Sequence, residues 1–241
     1  MVVVRSTWDY SDRRGEFLDW CARPRKLLNL PAVIAWNTDK TYLRELAVAG
    51  IPTVPTTWVA PGPDRAIPDL PGGHMVVKPS VSAGARNTAR YGPGDEDRIR
   101  THVDRLVNAG LTVMLQPYVS SVDDIGEIGI IFIDGVLSHS IRKGPLLRTR
   151  EVATHLLWAP EDISVRLPTP EERAVAEATL DTLRWGRDEL LYARVDLVQG
   201  DDGRPMLLEL ELAEPSLFLG FGARAAQRLA SGVARRLNDA T

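Results

Sequence analysis

A single cysteine, Cys21, among 241 residues excludes an intrachain disulfide framework and a cysteine-rich zinc site, and it fits a reducing cytoplasm. No apolar run approaches the roughly 18 residues that span a bilayer. Met1-Val-Val-Val lacks the basic leader of a secretory signal. Neither sign of charge dominates: 29 Lys and Arg against 32 Asp and Glu leave −3, so bulk electrostatics gives no argument for nucleic acid. The familiar phosphate-loop patterns, Gly-x-x-x-x-Gly-Lys-Ser/Thr and Gly-x-Gly-x-x-Gly, are missing, and Ser216 has no Gly-x-Ser-x-Gly elbow around it. The histidines His74, His102, His139 and His155 stand at no zinc-ligand spacing and read as structural or surface residues. No internal repeat is present. What remains is 44% apolar and 25% charged, the balance of an ordinary globular chain with ample core.

The apolar pattern switches between strand and helix periods along the chain. Val2–Val4 reads as a short buried strand ending in a polar loop, followed by a helix over Gly15–Cys21, where Cys21 is a small core residue. A second helix, capped by Asn37 or Thr38, carries Tyr42, Leu43, Leu46 and Ala47 at helical spacing and stops at Gly50. After an extended stretch to Val59 and a Pro/Gly-rich loop from Pro61 to Gly73, His74–Pro79 is a strand ending in Lys78. Asp95–Ala109 is an amphipathic helix with Ile99, Val103, Leu106 and Val107 as its stripe. Strands follow at Thr112–Leu115 and Glu127–Ile133, and Asp134-Gly135 turns the latter back into Val136–Ile141. Residues 144–169 read as a mobile or loop-rich connection. Then come a helix from Pro170 to Leu183, strands at Leu190–Val198 and Met206–Leu212 joined by Asp201-Asp202-Gly203, and a closing helix over Ala223–Leu237. The order is α+β rather than a regular βαβ alternation.

The sharpest chemical feature is the last pair of strands. Residues two apart on a strand share a face, so Arg194 sides with Asp196, and Glu209 with Glu211. Pairing through the Asp-Asp-Gly turn brings three carboxylates together while Val195, Leu197, Leu208, Leu210 and Leu212 face the core. Clustered carboxylates repel unless a cation sits among them, and hard oxygen ligands suit Mg²⁺. The plainer reading is a solvent-facing hairpin; the apolar flanks and the continuation into Glu214-Pro215-Ser216 favour the metal. Lys78 closes an apolar strand just before Ser80-Val-Ser-Ala-Gly84, whose small residues, hydroxyls and backbone N–H groups suit phosphate. Taken alone, Lys78 before a turn is more often a surface lysine, and Lys40 in the first turn of its helix reads as part of a solvated face.

In order, Asn37-Thr-Asp-Lys40, Val76-Val-Lys-Pro79 with its small-residue loop, Leu115-Gln-Pro-Tyr-Val119, Gly126-Glu127, Arg142-Lys143, Ala193-Arg-Val-Asp196 and Leu208-Glu-Leu-Glu211 resemble the ATP-grasp superfamily, in its glutathione synthetase-like branch. Val4-Arg-Ser-Thr-Trp-Asp-Tyr10, Arg142-Lys-Gly-Pro145 and the run from Glu209 to Ser216 are closer still to a bacterial subgroup that includes the cyclo-ligase of cycloserine biosynthesis. The resemblance implies two α+β lobes clamping ATP, with a small lobe with its linking helix at 33–118 and a large lobe carrying the metal site at 119–241. Residues 1–32 would be the remnant of an N-terminal βαβ substrate lobe that is otherwise missing.

By the same resemblance, Lys40 and Lys78 hold the α- and β-phosphates, and the loop with Ser80, Ser82 and Gly84 covers the β/γ end. Gln116 and the backbone near Tyr118 and Val119 meet adenine, and Asp123 or Glu127 takes the ribose hydroxyls. Asp196, Glu209 and Glu211 hold two Mg²⁺ ions, with Mn²⁺ as an alternative; many relatives have Asn where Glu211 stands. Arg194, Arg142 and Lys143 stabilise the transferring phosphoryl group, and Arg5, Tyr10 and Ser216 meet the substrate. The implied activity is an ADP-forming carboxylate–amine ligase or cyclo-ligase acting through an acyl phosphate on a small carboxylate and amine, in the cytoplasm, with homodimers frequent among relatives. Neither nucleic acid nor membrane is an expected partner. The rival reading is an ATP-binding module without ligase activity because the first lobe is lost; a third is a carbohydrate- or peptide-binding domain that takes no ATP.

Overall fold

Three sheets carry the described residues. The structure, a computed structural model, describes residues 1–63, 67, 69, 72–147 and 162–238. Strand β1 (Val2–Val3) pairs in parallel with β2 (Leu27–Leu28), and helix α1 (Arg14–Cys21) connects them by way of a 3-10 turn at Trp8–Asp12. Phe17 and Cys21 turn the inner face of α1 toward Val4, Tyr10 and Ile34. The thiol of Cys21 is buried and pushed up to about 11 by that burial, so it is a packing residue rather than a reactive one.

Asn37 and Thr38 do not cap the helix expected after them. They end a helix of their own, α2 (Pro31–Asn37), started by Pro31 at its first turn, and α3 (Tyr42–Val48) begins after a turn that holds Lys40. The side chain of Asn37 is spent elsewhere. Its Nδ2 donates to the Leu210 carbonyl at 2.7 Å, and its Oδ1 accepts from the N–H groups of Leu212 and Ala213 at 2.6 and 3.2 Å. Tyr42 adds a two-way bond to Leu210. The linking helices are thereby stitched to the backbone that leaves the carboxylate strand.

The four-stranded antiparallel sheet runs β3 (Thr57–Val59), β6 (Val113–Pro117), β4 (Met75–Pro79) and β5 (Ala89–Tyr91). Helix α4 (Glu96–Asn108) lies on it with the expected stripe of Ile99, Val103, Leu106 and Val107 buried. The second sheet, also antiparallel, has the order β11 (Pro205–Glu211), β10 (Tyr192–Gln199), β7 (Glu127–Ile133), β8 (Val136–Lys143) and β9 (Ile163–Val165). Asp134-Gly135 makes the β7–β8 turn with both residues at positive φ, the geometry that matches the twist of a tight hairpin. Helix α6 (Pro170–Asp181), opened by a Thr169/Glu172 capping box, covers one face of this sheet, and α7 (Ala225–Asn238) packs on the other. The four-residue helix α5 (Ser121–Asp124) joins the two halves. Strand β9 occupies part of the stretch expected to be loop; residues 148–161, including His155, lie outside the described residues. So does part of the Pro/Gly-rich loop after Pro61.

One register detail differs from simple alternation. Asp196 opposes Glu209, but Leu197 opposes Leu207, so a bulge places Leu208 out of step. Leu207 takes the core position expected for Leu208, and Leu208 turns toward the opening between the two larger sheets. Among the described residues no helix is long and apolar enough to cross a membrane.

Two outcomes follow. Asn37→Ala strands the buried N–H groups of Leu212 and Ala213 and leaves the Leu210 carbonyl to Tyr42, and we expect a loss of about 2–4 kcal/mol in urea unfolding. His102 is buried on α4 with Nδ1 2.9 Å from the Tyr91 hydroxyl, and burial, then Arg105, lowers its pKa to about 4. Between the ordinary value of 6.5 and about 4 the unfolded chain binds a proton that the folded chain does not. Its stabilisation is therefore complete above pH 6.5 and is lost as the pH falls toward 4. The Tm of the wild type should fall more steeply across that window than that of His102→Gln; parallel curves would refute the assignment.

Candidate active site

A cleft of about 230 Å³ opens between the four-stranded and five-stranded sheets. One wall is basic. Lys40, in the turn before α3, is 5% exposed, and its Nζ donates to the Ser82 carbonyl and hydroxyl at 2.8 and 3.2 Å. Lys78, at the end of β4, is 8% exposed; burial lowers its pKa to about 8 against the pull of Glu209. Neither is the solvated residue that its local context suggested. The loop after β4 is held in place at its start: the Ser80 carbonyl accepts from Lys40 N–H, and Ser80 N–H donates to the Thr112 carbonyl. Ser82 and Gly84 line the cleft, whereas Ser80 anchors the loop from behind.

The opposite wall is acidic, and its floor is a compact ion cluster. Asp196 sits on β10, an interior strand between β11 and β7, with its side chain 1% exposed. Its Oδ1 accepts from Arg194 Nε at 2.9 Å, and its Oδ2 from Arg194 Nη2 and Lys143 Nζ, each at 2.9 Å. Lys143 also reaches Glu127 at 2.8 Å, its register partner across β7–β8, and Arg194 reaches Glu211, its partner across β10–β11. The residue facing Asp196 on β7 is Gly129, where a Cβ would stand 3.1 Å from Asp196 Oδ1. A side chain there would crowd the cluster. Burial raises the Asp196 carboxyl, but Arg194 and then Lys143 outweigh it and lower the pKa to about 2. Burial would likewise lower Lys143, yet Asp196 and Glu127 hold it above its ordinary value.

Glu209 and Glu211 face the cleft from β11. Lys40 crosses to Glu209 at 3.1 Å, and the two lysines of the basic wall overcome burial to lower the Glu209 pKa. Glu211 goes the other way: burial, then Glu209, Asp196 and Glu214, push it up to about 8 despite Arg194. The three carboxylates thus meet in register as expected, but they do not share one shell. Both oxygens of Asp196 are taken by cationic side chains, and among the described residues no three His, Cys, Asp or Glu groups are gathered into a ready metal site. The donor chemistry at Glu209 and Glu211 fits a hard cation, since their mutual repulsion is only partly relieved by Arg194 and Lys40. Asp196 fits a role beneath them.

Gln116, Tyr118, Val119 and Glu127 line the far end of the cleft, with Val54, Val198 and Leu208 as apolar neighbours. Asp123 does not line it. Its carboxylate takes two bonds from Arg90 Nη1, at 3.1 and 2.9 Å, and one from the Tyr118 hydroxyl at 2.6 Å, while Arg90 stacks 3.4 Å from the centre of the Tyr118 ring. Arg142 is also turned away. Neighbours on a strand face opposite sides, so where Lys143 points into the cleft Arg142 points out, donating to the Ile125 carbonyl at 2.7 Å and pairing with Asp162 at 3.1 Å. At the N-terminal end, Tyr10 and Ser216 reach the cleft, and the Ser216 carbonyl accepts from Arg194 at 3.0 Å. Arg5 is not a lining residue; its Nη1 is buried without a hydrogen-bond partner. Trp8 and Glu214 were not singled out from the sequence, although Glu214 stands in the same acidic run. His139 does structural work, its Nε2 meeting the Leu217 carbonyl at 2.9 Å.

Comparison with known proteins now decides the family. The cycloserine biosynthesis protein DcsG of Streptomyces lavendulae is 39% identical over 259 aligned residues, covering 98% of this chain and 83% of that protein. The chain belongs to the DcsG group of ATP-grasp ligases. Residues 1–30 match the family described as the N-terminal domain of D-cycloserine synthetase DcsG. The crystal structure of D-cycloserine synthetase DcsG superposes with a TM-score of 0.84 at 38% identity, covering 98% of this chain and 83% of that one. The fold is shared more widely by the group. D-alanine–D-alanine ligase from Bacillus anthracis, complexed with ATP, matches at TM-score 0.56 and 20% identity over 83% of this chain and 66% of its own. The ATP-grasp ligase PsnB, complexed with minimal precursor, Mg and ADP, matches at 0.56 and 19% over 86% and 61%.

The ion cluster at the base of the cleft is a structural element in its own right. Lys143→Met leaves Asp196 and Glu127 buried with less than their full complement of charge. We expect the urea midpoint to fall by the equivalent of about 3 kcal/mol, where a change within 0.5 kcal/mol, the usual range for a surface substitution, would show that the pair is dispensable.

Proposed function

We propose that this ligase is a Mg-ATP-dependent, ADP-forming carboxylate–amine ligase or cyclo-ligase that works through an acyl phosphate on a small amino-acid-like substrate. The observation that carries the reading is the opposition, across one cleft, of two buried lysines on the small-lobe side and two cleft-facing glutamates on β11. A buried lysine is costly without an anion, and paired glutamates are costly without a cation. A nucleotide triphosphate carried with Mg²⁺ satisfies both, and when bound it supplies the phosphoryl group and the electrophilic charge for its transfer.

The residues present divide the work. Lys40 and Lys78 are the groups for the phosphate oxygens, and the N–H groups and hydroxyl of the Ser80–Gly84 loop close over them. Glu209 and Glu211 would hold the metal, with Asp196 fixing the two cations beside them. Arg194 lies next to Glu211 and to the Ser216 carbonyl, where charge on a transferring phosphoryl group or an acyl oxyanion would be met by a guanidinium that Asp196 prevents from turning away. The apolar end around Val54, Val198 and Leu208, with Gln116 behind it, suits adenine. Positioning and electrostatics are most of what phosphoryl transfer requires from a protein. The relative's name, D-cycloserine synthetase, makes amino-bearing substrates the first to try.

The test is Mg²⁺-dependent ADP release across a panel of small amino acids and their O-substituted derivatives. Turnover in the wild type should collapse by about 10²-fold or more in Glu209→Gln and in Asp196→Asn. Unchanged turnover in Glu209→Gln would remove the metal assignment, and unchanged turnover in Asp196→Asn the role of the ion cluster beneath it. Nucleotide binding by calorimetry with no ADP release on any substrate would instead identify a binding module.

A further inference from the structure

Beyond the phosphate-facing groups, the cleft holds one buried acid that the ligase chemistry above does not use. Glu214 follows β11 by three residues and is 8% exposed. Its backbone carbonyl accepts the Trp8 indole N–H at 3.3 Å, which fixes the loop, and Trp8, Tyr10 and Glu214 line the cleft together. The Tyr10 hydroxyl attends the carboxylate. Lys40 and Arg194 are the cations whose charge reaches Glu214, but in contact they are committed to Glu209 and Asp196. Among the described residues no lysine or arginine forms an ion pair with it. A carboxylate withdrawn from water, without a cation of its own and opening into a ligand cleft, calls for a positive partner from the ligand. Burial, more than any neighbour, already pushes its pKa up to about 7, the direction expected of an acid awaiting that partner.

The location also bears on the reaction. Tyr10 lies 3.5 Å from the Ser82 carbonyl, in the loop assigned to the β/γ end of the nucleotide, so this corner adjoins the place where a carboxylate would be phosphorylated. An acid with a tryptophan and a tyrosine beside it is the usual chemistry for an alkyl ammonium, which gains a charged hydrogen bond and the faces of two rings.

We propose that Glu214, framed by Trp8 and Tyr10, recognises the protonated amine of the substrate and so determines the specificity of this site for amino-acid-like ligands. The proposal rests on the ligase reading above and names its substrate class more closely. It treats Glu214 as a binding residue and gives it no part in the metal or phosphate chemistry.

Calorimetry on the full chain saturated with Mg-AMP-PNP tests it, with D-alanine, D-cycloserine and N-acetyl-D-alanine as probes. The wild type should bind at least one of the two amines and reject the acetylated one. Glu214→Gln should weaken amine binding by about 10- to 100-fold while leaving Mg-AMP-PNP affinity unchanged, which also reports that the variant is folded. Equal amine affinity in Glu214→Gln and wild type overturns the proposal, as does wild-type binding of N-acetyl-D-alanine as tight as that of D-alanine. If Mg-AMP-PNP binds and none of the amines does, the proposal fails while the nucleotide reading stands. Failure of the wild type to bind Mg-AMP-PNP sinks the ligase reading itself.

Discussion

The grip of Arg194 and Lys143 on Asp196 is the interaction on which the rest of the site depends. It lies on β10, inside the five-stranded sheet, and draws in three neighbours, since Lys143 comes from β8 and Glu127 and Gly129 from β7. Ions this deep cost several kcal/mol each to desolvate and repay it only when every oxygen and N–H finds a partner. That condition sets the details around them: Gly129 because any Cβ would press on Asp196, and the β7–β8 pairing because Glu127 must stand across from Lys143. With Arg194 fixed from below, its remaining N–H groups are aimed outward at Glu211 and Ser216. A mobile arginine in the same place would lose most of its value for charge developing in the cleft.

Much of this was legible before any coordinates. The Asp-Gly turns, the shared face of Glu209 and Glu211 and the α4 stripe each reflect a single local rule, and each is found where that rule puts it. The site residues that were legible are those on regular strands close to such a turn. What could not be read belongs to interactions between distant segments. Nothing near Asn37 announces that it will serve the backbone of residues 210–213, so a capping role was the natural local reading. The bulge at Asp196–Leu197 moves Leu208 from core to cleft, and a strict alternation cannot foresee an inserted residue. Arg142 and Lys143 came as a pair in the family resemblance, yet a strand can aim only one of two neighbours into the cleft. Asp123 carries the right chemistry for ribose, but Arg90, from β5, had already claimed it.

The electrostatic balance of the cleft explains why its two walls need each other. Lys40, Lys78, Lys143 and Arg194 line it together with Glu127, Glu209, Glu211 and Glu214, and Asp196 lies beneath, so acids slightly outweigh bases. The excess appears at Glu211 and Glu214, the two carboxyls pushed up to about 8 and about 7, while Asp196 and Glu209, which hold the cations, are lowered. A bare triphosphate would add negative charge beside two acids that already hold on to their protons. The proposed nucleotide is therefore acceptable to this site only in the company of cations: divalent metal at the glutamates, and, at the Trp8–Tyr10 end, an ammonium. On that argument the metal and the amine are not independent preferences. Each would relieve a different part of one charge imbalance, and a metal held by Glu209 would leave Lys40, its present partner, to the phosphates.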